Sequence, residues 1–360
     1  MTVDTPQTGH RSSNTVGRVA TELPYHKDAA ERITLGILTL FNKLRELETL
    51  QPDPINGRLF NQLFDLVTIS KTTTSQEETV HYHPPPSPLW SLEIANHAEQ
   101  ILSDPRIQAI IPELRQVWGD AEYLLELDFA RKVISGVPSI PDCRRLYESF
   151  PYLDQYRQLA RMEANTLDTA LGEKGLPPVR KIAFLGSGPT PFSALCFRER
   201  LGREVEIVNI DRSEEAIDHG QRMAQSLGHE FSGNMSFVRA EVAVASSSPS
   251  TSEVGNGVSV TPTGTEVMTV SDLSDCDLVH FAALIGETER DKRDLLIAVA
   301  KTMKPGALIM LRSTDSLRQC LYPKMDVDCW EVLDVVTPVL ATRYFGASTS
   351  LTTIVVSVDG

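Results

Sequence analysis

Residues 181–211 read KIAFLGSGPTPFSALCFRERLGREVEIVNID. The opening KIAFL (181–185) is an apolar run of strand length. Two glycines follow, then helix-like text that stops at Gly202, then a second apolar run, EVEIVNID (204–211), ending on Asp211. Strand, helix and strand in so short a span form a βαβ unit with parallel strands. The alternation continues downstream. SEEAIDHGQRMAQSLG predicts a helix with Ser213 as its N-cap and Gly228 as its stop. Residues 236–241 and 277–284 predict strands, 288–303 a helix, and 304–313 a turn into a strand, with β-rich runs at 331–338 and 351–358. The expected class is α/β, a Rossmann-like, doubly wound parallel sheet.

Upstream the text is different. Residues 29–50 carry a helical stripe through Ile33, Ile37, Leu40, Phe41 and Leu44, and 58–69, 91–103, 107–133 and 154–172 repeat that periodicity. An all-α N-terminal domain over 25–175 is therefore expected before a Rossmann-like domain over 176–360. Residues 1–24 lack periodicity and read as a disordered tail, and the Ser/Thr-rich 245–266 reads as a low-complexity insertion. The net charge of −14 would repel a phosphate backbone, so no nucleic-acid partner is expected. No run of about 18 apolar residues marks a membrane span, and the polar start lacks the apolar core of a secretory signal. Five scattered cysteines without a CxxC fit free thiols in a reducing, cytoplasmic setting.

The strongest chemical feature is the strand-to-helix loop Gly186-Ser187-Gly188-Pro189-Thr190-Pro191. Glycines allow a tight turn and a close ligand, and amides at a helix start are expected to face it. Asp211, about 20 residues on, suits a ribose diol. Together they describe an adenosine-type site or, without a ligand, a tight βα turn. A dinucleotide would want a third glycine where Pro191 stands, and Pro189 and Pro191 remove two amide donors. That favours S-adenosylmethionine, which has no phosphates, and a sheet of the class I methyltransferase type. Glu241 ends the third strand, either meeting an adenine amino group or opening a loop. Ala282 and Ala283 end the fourth, leaving room for a ligand or simply packing. His81 and His83 form an HxH in loop text without a third ligand nearby, which argues against a metal site.

GSGPTPFS after KIAFL, HFAALIGETERDKRDLL (280–296), KTMKPGALIMLRS (301–313) and LYP (321–323) resemble the nicotianamine synthase family. The likeness extends to Leu66-Val67-Thr68, Gly119-Asp120-Ala121-Glu122 and Phe150-Pro151-Tyr152, spanning roughly 30–358. The family's GEAE is GDAE here, and the 245–266 insertion is a departure. The resemblance implies condensation of three S-adenosylmethionine molecules by transfer of 3-amino-3-carboxypropyl arms. Methylthioadenosine leaves, an azetidine ring closes, and nicotianamine, a metal chelator, is made. It implies S-adenosylmethionine as small-molecule substrate, no further cofactor and no required metal, with no membrane partner. The oligomeric state stays open, a homodimer being admissible.

The attacking ammonium must lose a proton, and a buried carboxylate suits that task. On the GDAE match, Glu122 is the candidate base. Glu126, one turn on, shares its face with no role settled. Tyr152 either positions the reacting substrate through its hydroxyl or packs as an aromatic at a helix start, with Tyr156 in support. Arg312, near the end of strand five, either holds a substrate carboxylate or forms an ion pair for the fold. Two other functions share these features: a small-molecule methyltransferase and a non-catalytic S-adenosylmethionine-binding regulator.

Overall fold

The computed structural model describes residues 29–68, 97–135, 139–240, 273–343 and 351–360. The expected tail, the loop text holding His81 and His83, Glu241 and the 245–266 insertion lie outside them. Before the sheet come α1 (Ala29–Arg45), α2 (Pro54–Thr68), α3 (Pro105–Ser135), α4 (Ile140–Glu148) and α5 (Leu153–Lys174), with a helical run over 97–102 between α2 and α3. The α4 helix was not expected, although Ser139 followed by Pro141 is a start of the usual kind.

The alternating half follows as β1 (Lys181–Leu185), α6 (Phe192–Leu201), β2 (Glu206–Asp211), α7 (Glu214–Ser226), β3 (Met235–Arg239), β4 (Leu278–Phe281), α8 (Glu289–Ala300), β5 (Leu308–Thr314), β6 (Val336–Arg343) and β7 (Leu351–Val358). Ser213 caps α7 as expected, its Oγ accepting from Ala216 N at 3.2 Å. The run at 331–338 is not one strand. Trp330–Leu333 is a helical turn whose Val332 and Leu333 amides bond back to Cys329 O, and the strand starts at Val336.

The strands form one sheet in the order β3-β2-β1-β4-β5-β7-β6. β1 to β5 run parallel, whereas β7 pairs antiparallel with both β5 and β6. The chain therefore leaves the doubly wound pattern after β5. The chain goes one way from β1 through β2 to β3, then crosses back past β1 to β4 on its other side. The crevice beyond the carboxyl ends of β1 and β4 is where such sheets bind ligands. Every residue of β4 and β5 is buried, at about 1.5–3 kcal/mol per large apolar side chain, so these strands hold the crevice rigidly.

The 31-residue α3 spans two cores. Its first half, through Ile107, Ile111, Leu114 and Trp118, packs with α1, α2 and Leu317–Tyr322. Its end, through Ala130 and Val133, joins α4, α5 and one face of the sheet. The middle of α3 is thereby carried across the crevice. Tyr123 ties it there, its hydroxyl 3.0 Å from Ser213 Oγ beyond the end of β2.

Candidate active site

The turn after β1 takes the backbone it was expected to need. Gly186 and Gly188 have φ of 72° and 68°, a left-handed region that side chains disfavour. Space is short as well. A Cβ on Gly186 would stand 2.8 Å from Ile285 Cγ1, and one on Gly188 would stand 2.7 Å from Glu126 Oε2. Ala282 Cβ would be 3.4 Å from the first of these, so that small side chain packs against the loop.

The amides of this turn differ from expectation. Gly186 N and Ser187 N both donate to Ile210 O, at 2.9 and 3.1 Å. Gly188 N donates to Asp211 Oδ2 at 2.9 Å. They are spent on joining β1 to β2, and Pro189 has none to add. A pyrophosphate would find no cradle here, which fits a phosphate-free nucleoside. Asp211 also accepts from Ser213 N at 2.9 Å through Oδ1. A carboxylate has about four acceptor positions, so lone pairs remain for a diol. Ser187 Oγ is buried without a partner.

Glu126 faces this turn from the middle of α3, with Glu122 one helical turn before it. Both keep part of their surface open while sitting deep within the protein. Tyr322 donates to Glu122 Oε1 at 2.5 Å, and the Tyr322 oxygen itself accepts from Trp118 Nε1 at 2.9 Å. Burial raises the Glu122 pKa, opposed by the Tyr322 hydrogen bond and the Arg318 charge. Glu126 accepts from Tyr156 at 3.2 Å. Burial, and then the charge of Glu122, push its pKa up to about 8. Two carboxylates one helical turn apart disfavour simultaneous ionisation. The nearby Thr190 hydroxyl pulls the other way, although it is outside hydrogen-bond geometry.

Tyr152 lies at the edge, 39% exposed, its hydroxyl donating to Asn61 Oδ1 of α2 at 3.1 Å. Of these two tyrosines, Tyr156 is the one that touches a carboxylate. Leu284, beyond Ala283, reaches across to Gly119, whose Cβ would be 3.9 Å away.

Arg312 is engaged by the fold. Its Nε and Nη2 donate to Glu163 Oε1 and Oε2 of α5 at 2.7 and 2.9 Å, with both residues buried. Thr353 donates to the same carboxylate at 3.4 Å, and His280 Nε2 is 3.3 Å from it. Burial would raise the Glu163 pKa, but the Arg312 and His280 charges outweigh it and hold it well below the usual range. Burial lowers the pKa of His280. Of the two readings of Arg312, the ion pair is therefore present, and it takes the Nε/Nη2 edge of the guanidinium.

Tyr322 and Arg318 were not singled out from the sequence. Only the LYP text touched Tyr322, and no motif pointed to Arg318. A surface cavity of about 540 Å³ near Arg115, Arg290 and Arg293 contains neither the glycine turn nor the carboxylate pair. The glycine turn, Asp211 and Glu126 meet in the crevice instead.

Residues 93–256 and 248–342 match the family described as "Nicotianamine synthase protein". The nicotianamine synthase of Solanum lycopersicum is 29% identical over 305 residues, covering 84% of this chain and 78% of its own. A probable nicotianamine synthase 4 of Arabidopsis thaliana is 28% identical over 312 residues, covering 86% and 79%. A glutamate-to-glutamine mutant of MtNAS in complex with S-adenosylmethionine has a TM-score of 0.62 at 13% identity, covering 91% of this chain and 98% of that one. MtNAS in complex with MTA and tNA has a TM-score of 0.62 at 14% identity, covering 92% and 98%. At such identities the likeness is one of fold.

Proposed function

The chain belongs to the nicotianamine synthase family, and from that premise we propose that its crevice condenses three S-adenosylmethionine molecules into nicotianamine. The observation that carries this function is the carboxylate pair of α3 set against the glycine turn, with Glu126 Oε2 at the surface of Gly188. A methyltransferase sheet alone does not require two raised carboxylates at that place.

In each transfer an ammonium first gives a proton to a base. The free amine then forms a nitrogen–carbon bond to the arm carbon beside the sulfonium. The carbon–sulfur bond breaks with its electron pair going to sulfur, and neutral methylthioadenosine leaves. Ring closure is the same step within one molecule. The sulfonium is already an activated leaving group, so the chain must supply orientation and a proton acceptor. We assign proton acceptance to the pair Glu122/Glu126, with Glu126 the member nearer the nucleoside turn. Glu122, fixed by Tyr322, keeps Glu126 basic through its charge. An arriving sulfonium cation favours the ionised forms. Tyr156 orients Glu126, and Tyr152 borders the substrate's entry. Arg312 serves as support through Glu163.

Asp211 would hold the ribose diol, with Gly186, Ser187, Gly188, Pro189, Ala282 and Ala283 shaping the pocket. Asp211→Ala should weaken S-adenosylmethionine binding by roughly 1–3 kcal/mol, through unpaired hydroxyls and a loosened Gly188 amide. An unchanged calorimetric dissociation constant would remove Asp211 from the site. We also place the protein in a reducing, cytoplasmic compartment, supported by cysteines that are all free and mostly buried. No described helix is long and apolar enough to cross a membrane.

The deciding experiment supplies S-adenosylmethionine alone and reads the products by mass. Nicotianamine with methylthioadenosine is the expected result. S-adenosylhomocysteine would mean methyl transfer, and tight binding without a released nucleoside would mean a regulator.

A further inference from the structure

Arg318 lies on a short 3-10 turn, Ser316–Cys320, between β5 and the LYP segment. It is 3% exposed, and its Nε and Nη1 are buried with no hydrogen-bond partner. A guanidinium carries five N–H donors, and such donors left unmade inside a protein are costly. Its carbon centre lies 4.7 Å from the Phe64 ring centroid and 5.6 Å from that of Tyr322. Cation–π contacts of this kind support the charge without using the in-plane N–H groups. The group is held in place with two buried nitrogens, Nε and Nη1, unpaired.

Its position explains what those donors are for. Tyr322, on which Arg318 rests, donates to Glu122, and the Arg318 charge is felt at that carboxylate. Glu122 and Glu126 are neighbours on one helix face. Glu122 therefore lies between two groups of side chains. On the nucleoside side are Gly188, Asp211 and Glu126. On the other are Tyr322, Arg318 and Phe64.

We infer that Arg318 anchors the α-carboxylate of the acceptor amino acid, the molecule whose amine attacks the donor's arm. This rests on the proposed condensation. In that chemistry every acceptor carries its nucleophilic nitrogen on the carbon that bears a carboxylate. A carboxylate held at Arg318 places that nitrogen toward Glu122 and Glu126, which take its proton. Arg312, the other arginine considered for this role, has its Nε/Nη2 edge taken by Glu163. Anchoring of the shared α-amino-acid end, rather than of the changing tail, lets one site accept both a fresh molecule and a partly built chain.

The test compares full-length wild type with Arg318→Lys and Arg318→Met, reading products by mass and binding by calorimetry. Arg318→Lys keeps the charge but loses the planar fork. It should raise the half-saturating S-adenosylmethionine concentration roughly tenfold, the order expected for losing a charge-assisted hydrogen bond. Methylthioadenosine, which has no carboxylate, should bind it within about twofold of wild type on the same grounds. Arg318→Met should make little nicotianamine, with added guanidinium ion restoring part of the turnover. A Lys variant with unchanged half-saturation and products, or with methylthioadenosine affinity lost in parallel, overturns the assignment to Arg318 alone. A wild type that releases no methylthioadenosine overturns the condensation and this inference together.

Discussion

Glu126→Gln is expected to bind S-adenosylmethionine yet turn over roughly 10²–10⁴-fold more slowly, the range for losing a positioned general base. The substitution keeps the side chain's size and can still accept from Tyr156, but it takes no proton. The nucleoside contacts through Asp211 and the glycine turn are untouched. The wild-type kcat/KM should show an acidic limb with an apparent pKa near 8. That value belongs to the Glu122/Glu126 pair rather than to either residue alone. The Gln variant should lose this limb. Stability moves the opposite way. The folded-state pKa of Glu126 is raised, so its stabilising contribution is complete below the unfolded value of about 4.5 and is lost as pH rises through about 8. The variant lacks this loss, and its melting temperature should gain on the wild type between pH 5 and 8. Glu122→Gln run in parallel settles the roles within the pair. A larger loss of turnover there than in Glu126→Gln would return the base to Glu122.

Glu163→Ala should cost about 3–5 kcal/mol of folding stability, because it leaves Arg312 charged and buried without its partner. Arg312 has no room to reach water at 6% exposure. Urea or thermal denaturation gives the number. Glu163 also makes the wild type acid-sensitive. Its depressed pKa contributes stability that is present above the ordinary carboxylate range and lost as pH falls toward the folded value. The Ala variant should lack that part of the acid transition. A cost below about 1 kcal/mol, the level of an exposed pair, would mean that Arg312 is satisfied elsewhere and free to meet substrate.

The glycine turn and Asp211, which we assign to the nucleoside, were legible in the chain because their parts are local. An apolar run of strand length, a turn that only glycine fits, a Ser N-cap and a carboxylate at the next strand end are set by neighbours a few residues apart. The same holds for the long helices, where the spacing of Glu122 and Glu126 already placed them on one face. Family-like text at Gly119–Glu122, Arg312–Ser313 and Leu321–Pro323 marked further segments without saying what each side chain touches.

The tertiary structure decided the remainder, since charge pairing and burial depend on which distant segments meet. Arg312 and Glu163 are 149 residues apart, and no periodicity could choose between that carboxylate and a substrate's. Tyr322 and Glu122 are 200 apart. That contact, with α3 bridging two cores, turns an ordinary helical acidic pair into a half-buried one with raised pKa values. The turn's amides went to Ile210 and Asp211 because β1 and β2 lie side by side, a pairing that strand order supplies and a loop motif does not. β7 entered antiparallel between β5 and β6, which brought Thr353 to Glu163. Backbone conformation is short-ranged and can be read along the sequence. Desolvation and Coulomb interactions act through space, so the chemistry of Glu126, Arg312 and Arg318 was determined only on folding.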